Sequence, residues 1–280
     1  EMPEPTPDQI KALWQRVIAL HERDAQNVSA GIYPLKAMEF ENPLRHLRTL
    51  VDVLSDGVSV AWRMRKRKTK EFNATADRFK SDVPEYYQRN FHFQTDGYLS
   101  ENSARRYDHQ VEILFNGTAG AMRRLILPPL KELAPSQGRF LEIGCGAGSA
   151  TRAVAETFPD AFVTALDLSA PYLKIAQENL RKFNRVNFMQ GDGTNLDFKD
   201  ETFDAVYSVY LLHELPQAER TQVLTEAWRV LKPKGVLVFA DSLQLNDDPE
   251  MNWALERFPQ IYHEPFYTNY VKDDLKQRLK

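Results

Sequence analysis

Three glycines at alternate positions, Gly144, Gly146 and Gly148, stand in RFLEIGCGAGSATRAVAE between a short apolar run and a helix-like segment. Glycine weakens regular elements and is tolerated where the backbone bends tightly or lets a ligand come close. Glu142 precedes this turn, and Asp167 and then Asp192 follow it along the chain. A carboxylate at the end of a second strand is the position that accepts two ribose hydroxyls in nucleoside-binding sheets, which suits Asp167. Asp192, one strand further out, is placed to accept an exocyclic adenine amine. The set of glycine turn, Asp167 and Asp192 in order is a strong signal, where any one of them alone is weak.

The spacing also selects the nucleoside. A dinucleotide fingerprint reads G-x-G-x-x-G and leaves a helix N-terminus free for pyrophosphate. Here the spacing is G-x-G-x-G, and the Glu142 carboxylate would repel a pyrophosphate. It suits a ligand whose tail carries an ammonium and no phosphate, and S-adenosylmethionine is such a ligand. Methyl transfer from its sulfonium is a single displacement that depends mostly on alignment and exclusion of water. A base is needed only when the acceptor must lose a proton. His213, in YLLHELP just past the fourth strand, is the candidate base, with Glu214 a weaker one. Tyr98, Tyr107, His109 and His92 upstream, and His263 downstream in IYHEPFYTNY, are candidates for the acceptor side. No His/Asp/Glu spacing makes a metal site, so no metal is expected.

These residues need a scaffold that brings strand ends together. From Arg139 onward, apolar runs alternate with helical patterns: strands at Arg139 to Ile143, Phe162 to Leu166, Val186 to Gln190, Phe203 to Tyr210 and Val236 to Asp241, with helices at Ser149 to Phe158, Pro171 to Phe183 and Gln217 to Leu231. Such alternation predicts an α/β fold, a Rossmann-like parallel sheet sandwiched by helices, in strand order 3-2-1-4-5, with ligands beyond the carboxyl ends of the strands. Residues 121–280 are expected to form this domain and residues 1–120 a helical extension. In the extension, Asp8 suits an N-cap for a helix to about Ala25. A second helix from Pro43 to about Arg63 carries Leu47, Leu50, Val51 and Leu54 on one face and is interrupted by Gly57. RMRKRKTK (63–70) reads as a solvated face rather than a phosphate patch. The aromatic stretch from Ser81 to Ser103 reads equally as a satellite hydrophobic cluster or a lid over a ligand pocket. A later helix, AMRRLILPPLKEL, is expected to be kinked or stopped by Pro128 and Pro129.

The bulk numbers set outer bounds. The chain has 280 residues, 42% of them hydrophobic, a net charge of -3 and one cysteine, Cys145. That is enough for one large domain with an extension, and it excludes intrachain disulfides and cysteine-held zinc. The charge balance argues against nucleic acid as the main partner. No run of about 18 apolar residues suggests a membrane span. A reducing compartment is expected, cytoplasmic by default, or an organelle stroma or matrix if a transit peptide has been removed.

LEIGCGAG, ALDLS, MQGDGTNLDFKDETFDAVYSVYLLHEL and EAWRVLKPKGVLVFAD together resemble the successive motifs of class I S-adenosylmethionine-dependent methyltransferases. The branch most similar is the one that includes ubiquinone/menaquinone-biosynthesis and other small-molecule methyltransferases. The resemblance runs from about Arg139 to Ser242, and Lys234 stands where the family often has a second glycine. It implies that Gly144 and Gly146 line the methionine portion, Asp167 takes the ribose, Leu168 packs the adenine, Asp192 and Gly193 meet the adenine amine, and Val209 offers backbone near the methionine end. Cys145 is then a small turn residue. The implied activity is transfer of a methyl group to O, N or C of a small-molecule acceptor. A nicotinamide-dependent dehydrogenase and a non-catalytic S-adenosylmethionine-binding scaffold are the alternatives. Folds of this family usually follow the fifth strand with a helix and an antiparallel hairpin. No such strand pair is legible before Lys280, so the C-terminal hairpin is expected to be missing and the chain to be part of a longer one, with the fifth strand at a sheet edge.

Overall fold

The structure, a computed structural model, describes residues 4–38 and 43–279. The N-terminal region holds α1 (Pro7–Ser29), α2 (Pro43–Lys66), the short α3 (Ala74–Asp77) and α4 (Glu101–Leu114). Then come α5 (Ala119–Arg123), α6 (Leu127–Leu133), β1 (Arg139–Ile143), α7 (Ser149–Thr157), β2 (Phe162–Asp167), α8 (Ala170–Leu180), β3 (Val186–Gln190), β4 (Phe203–Val209), α9 (Gln217–Val230) and β5 (Leu231–Ala240). The short helices α10 (Asn252–Ile261), α11 (Tyr267–Tyr270) and α12 (Leu275–Arg278) end the described chain.

The five strands form one parallel sheet in the order β3-β2-β1-β4-β5. The order is the expected one. Among the described residues β5 pairs only with β4, and no antiparallel hairpin joins it. Successive strand residues point to opposite faces, and the core divides accordingly. Leu141, Ile143 and Val206 pack with Val223, Ala227 and Leu255 on one side, and Phe140, Ala205 and Tyr207 pack with Ile126, Leu130, Val154 and Phe158 on the other. Strands covered on both faces explain the near-continuous apolar runs that made them legible.

Several local expectations need correction. Thr6, not Asp8, caps α1: its side chain accepts from Gln9 N–H and the Gln9 side chain accepts from Thr6 N–H, a reciprocal capping box. Gly57 does not interrupt α2, which runs unbroken from Pro43 to Lys66, since one glycine inside a long helix costs only about 1 kcal/mol. Leu47, Leu50, Val51 and Leu54 do share a face of α2, but that face is exposed. The buried face is polar: Asp56 accepts from Thr95 Oγ1 at 2.7 Å and pairs with Arg106 at 2.8 Å. Arg63, at the head of the basic run, is buried with Nε donating to Phe93 O at 2.8 Å, so that run is not uniformly solvated. Pro128 and Pro129 start α6 rather than ending a helix, since proline's missing N–H costs nothing in a first turn.

The extension is tied to the sheet domain by one buried ion pair and by exposed ones. Asp24 of α1 pairs with Arg124 at 2.6 Å and accepts from Tyr33 Oη at 2.5 Å, and Arg16 reaches Asp248 and Glu250. Among the described residues no helix is long and apolar enough to cross a membrane.

Candidate active site

The glycine turn follows β1 directly. Gly144 N–H and Cys145 N–H both donate to Leu166 O, at 2.8 and 3.0 Å, which folds the turn back over the end of β2. Gly144, Gly146 and Gly148 have φ of +76°, +55° and +91°, values that side chains resist. A Cβ on Gly148 would meet Leu180 Cδ1 at 2.7 Å, so this glycine serves helix packing. A Cβ on Gly146 would meet only Tyr172, at 4.0 Å, so here the backbone is open to a ligand.

Asp167, the last residue of β2, is pinned against this turn. Its Oδ2 accepts from Gly146 N–H at 2.7 Å and its Oδ1 from Ser169 N–H at 2.8 Å. Burial pushes its carboxyl up to about 6, against the opposing pull of these two N–H groups. Each oxygen keeps a lone pair that a ribose hydroxyl could use. Asp192 lies beyond β3, half-buried, its Oδ1 accepting from Thr194 N–H and Oγ1 at 2.8 and 2.7 Å. Gly193 abuts Ile143, where a Cβ would come within 2.8 Å of its side chain. Leu168 packs into a cluster with Leu99, Ala76 and Phe72 of the N-terminal region.

Glu142 is buried beneath the turn. Thr151 Oγ1 of α7 and Tyr207 Oη of β4 both donate to its Oε2, at 2.5 and 3.1 Å, and burial pushes its carboxyl up to about 8. Cys145 packs with Ala165 and Leu173, and burial raises its thiol well above the ordinary value, so nothing activates it as a nucleophile.

The fourth strand ends at Val209, which pairs with Ala240 of β5. Tyr210 then turns with φ +58°, and a 3₁₀ turn at Leu212–Glu214 presents His213 and Glu214. His213 Nδ1 lies 2.5 Å from Asp241 Oδ1, and Asp241 Oδ2 fixes the turn by accepting from Leu212 N–H at 2.7 Å. Burial lowers the His213 pKa, but Asp241 outweighs it and holds the imidazole at about 9. Glu214 accepts from Tyr98 Oη, and burial pushes its carboxyl up.

The aromatic stretch meets this crevice. Tyr98 stacks on Phe91 at 5.2 Å and meets Tyr107 and Tyr172 edge-on at 5.8 and 5.4 Å, in a cluster that includes Ala147 of the glycine turn. Ser169 Oγ donates to Tyr98 O at 2.6 Å. Residues 86–107 therefore lie on the same face as Gly146. His109 is half-buried on α4. His263 stands against Phe93, with ring centroids 5.8 Å apart, and its carbonyl accepts from His92 N–H at 3.2 Å. Burial lowers its pKa. It is the next residue, Glu264, that joins His92 and Glu214 in a buried cluster, 2.9 Å from His92 Nδ1. Sequence reasoning missed Glu264 and the Asp241–His213 pairing. The only signal was the His-Glu step repeated in LLHELP and IYHEPF. Spacing along the chain gave no metal site, yet in space His92, Glu214 and Glu264 bring one ligand atom each within 4.8 Å of the others.

Comparison with known proteins bears on the same strand ends. A methyltransferase-domain family model matches residues 140–235. A fatty-acid O-methyltransferase of Mycolicibacterium smegmatis is 36% identical over 121 residues, and the match spans 43% of this chain and 43% of that relative's length. A demethylmenaquinone methyltransferase of Lactiplantibacillus plantarum is 33% identical over 179 residues, 61% of this chain and 74% of that one. Among solved structures, a Haemonchus contortus phosphoethanolamine N-methyltransferase in complex with S-adenosyl-L-methionine superposes with a TM-score of 0.41 at 23% identity, over 55% of this chain and 34% of that one. A likeness of that size adds nothing to the strand order already described. The sequence match over 74% of a methyltransferase's length, with a methyltransferase family model that runs through the turns closing on Asp167, makes the chain a member of the class I S-adenosylmethionine-dependent methyltransferases.

Proposed function

We propose that the chain binds S-adenosylmethionine against the glycine turn and transfers its methyl group to a small-molecule acceptor lying toward His213. The observation that carries this reading is the Asp167 carboxylate. It is held by Gly146 and Ser169 N–H at the one place where the turn leaves space. The ribose hydroxyls would donate to its free lone pairs, the adenine amine would face Asp192, and the methionine portion would run over Gly144 and Gly146 toward Val209. In the reaction the acceptor's nucleophile forms a bond to the methyl carbon as the sulfonium C–S bond breaks. No group in the pocket must form a covalent bond to the enzyme. The task of the site is therefore alignment and exclusion of water.

His213 is the acceptor-side group in this reading. With Nδ1 committed to Asp241, only its Nε2 remains to meet an acceptor. Residues 86–107 form the roof, since Tyr98 bonds both Glu214 and Ser169 across the crevice. A small lipophilic or quinone-like acceptor is favoured by the aromatic lining and by the names of the relatives matched. We also place the chain in the cytoplasm, on its single buried cysteine.

Calorimetric titration of the chain with S-adenosylmethionine, S-adenosylhomocysteine, NAD and NADP tests the reading. Saturable binding of the first two and none of the others is expected. Binding of a nicotinamide cofactor in their place would replace the proposal with a dehydrogenase. In a methyl-labelling assay over candidate acceptors, His213→Asn is expected to lower kcat with cofactor affinity unchanged. Loss of cofactor binding instead would move His213 out of the acceptor side.

A further inference from the structure

A buried cluster of charge remains unexplained by cofactor binding. His92 turns one ring nitrogen toward each of two carboxylates. Nδ1 lies 2.9 Å from Glu264 Oε1 and Nε2 lies 3.6 Å from Glu214 Oε1. The Glu264 side chain has no solvent exposure. Neither of its oxygens has an aligned hydrogen-bond donor, and neither does His92 Nδ1, so the 2.9 Å contact is close without being a proper hydrogen bond. Burying a carboxylate whose one close partner is a poorly aligned imidazole nitrogen is costly unless another charge or donor meets it. Something must compensate it.

The charge count says what. Three buried carboxylates, Asp241, Glu214 and Glu264, face two imidazoles, and among the described residues their ion pairs are with His92 and His213 alone. Three carboxylates share two imidazoles, so one carboxylate has no cation of its own, and a divalent cation between His92, Glu214 and Glu264 would supply one. Ligands bound about 2.1 Å from a shared ion lie at most about 4.2 Å apart, and one atom from each of His92, Glu214 and Glu264 already lies within 4.8 Å of the others. Closing that gap takes a shift of under about 1 Å. Backbone geometry is also spent here: His92 and Phe93 are consecutive non-glycine residues with φ of +50° and +57°.

We propose that His92, Glu214 and Glu264 bind a divalent first-row transition-metal cation. One imidazole nitrogen and two carboxylates suit Mn²⁺, Fe²⁺ or Zn²⁺ and leave coordination positions open. His213 Nε2 lies 3.8 Å from Glu214 Oε1, so the site borders the His213 side, and an oxygen of the acceptor is the ligand that fits an open position there. This last step rests on the methyl-transfer reading above. Metal binding itself does not.

The test uses the whole chain, stripped with a chelator, loaded with Zn²⁺ or Mn²⁺ and desalted before metal analysis. About one equivalent is expected to remain, with a higher melting temperature than the stripped protein. Glu264→Gln is expected to lower retention by at least about tenfold while binding S-adenosylhomocysteine as the wild type does. No retention of either ion by the wild type overturns the proposal, as does undiminished retention by a folded Glu264→Gln. If that variant does not fold, X-ray absorption of the loaded wild type decides. A shell of oxygens with one imidazole supports the site; two or more imidazoles or a sulfur overturns it. Cofactor titration is read separately, so failure of the metal site and failure of cofactor binding are distinguishable.

Discussion

Arg220 gives the sharpest stability prediction. It lies on α9 with no solvent exposure. Its Nε donates to Leu212 O and its Nη2 to Leu215 O, both at 2.9 Å, which closes both ends of the turn that carries His213 and Glu214. Its Nη1 donates to Asn269 Oδ1 at 3.1 Å and to Asp273 Oδ2 at 2.7 Å, and the guanidinium sits 5.3 Å from the Tyr270 ring. Arg220→Ala takes this donor from the Leu215 carbonyl, leaves Leu212 O only the 3.4 Å bond from Leu215 N–H, and removes one partner of Asp273, which keeps Arg278 at 2.7 Å. Breaking one side of a buried ion pair costs about 3–5 kcal/mol, and each orphaned acceptor about 1–3. These terms overlap, because the turn relaxes once released. The expected loss is therefore about 3–5 kcal/mol rather than their sum. Arg220→Lys keeps the charge but not the fork that spans two carbonyls, and is expected to recover less than half. Urea denaturation followed by circular dichroism and tryptophan fluorescence measures both. A loss under about 1 kcal/mol for the alanine variant would refute the claim that this side chain holds the turn.

Four further predictions concern the glycine turn and the acids beside it. Asp167→Ala is expected to weaken S-adenosylmethionine binding by about 1.5–3 kcal/mol, with Asp167→Asn losing less, and calorimetry showing unchanged affinity would misplace the ribose. Burial sets the Asp167 carboxyl at about 6 with Tyr87, Glu214 and Tyr172 around it, so affinity is expected to fall as pH drops through 6; a flat profile from pH 5 to 8 counts against this. Glu142 holds its proton up to about 8 in the folded state and to its ordinary 4.5 when unfolded, so its contribution to stability is full below 4.5 and declines as pH rises toward 8. The stability of the wild type relative to Glu142→Gln is thus expected to fall over that range in denaturant titrations, and a rise would contradict the burial argument. Gly148→Ala puts a methyl 2.7 Å from Leu180 Cδ1 at a φ of +91° and is expected to cost about 1–3 kcal/mol, measurable as a lower urea midpoint.

What was legible in the sequence was local. Strands buried on both faces announce themselves as apolar runs, and a glycine turn followed by Asp167 fixes where the crevice lies. The strand order follows from those with few alternatives. What was hidden depends on tertiary partners. The prolines of α6 read as breakers because a pattern does not say which end of a helix they occupy. Spacing put the apolar stripe of α2 on one face but could not say whether that face is covered, while Asp56 and Arg63 on its other side find partners only in the loop and helix that follow. His92, Glu214 and Glu264 come from three distant segments, and no spacing rule joins them. Asp241 was visible as a strand end, but its contact with His213 exists only because β4 and β5 are neighbours.

The most direct test of the account is a crystal structure of the chain with S-adenosylhomocysteine. It is expected to show the two ribose hydroxyls on the Asp167 carboxylate, the adenine amine toward Asp192, and the sulfur above Gly144 and Gly146 with its open side facing His213. A nucleoside bound with its ribose away from Asp167, or a sulfur pointing away from the His213 turn, would contradict the site as described.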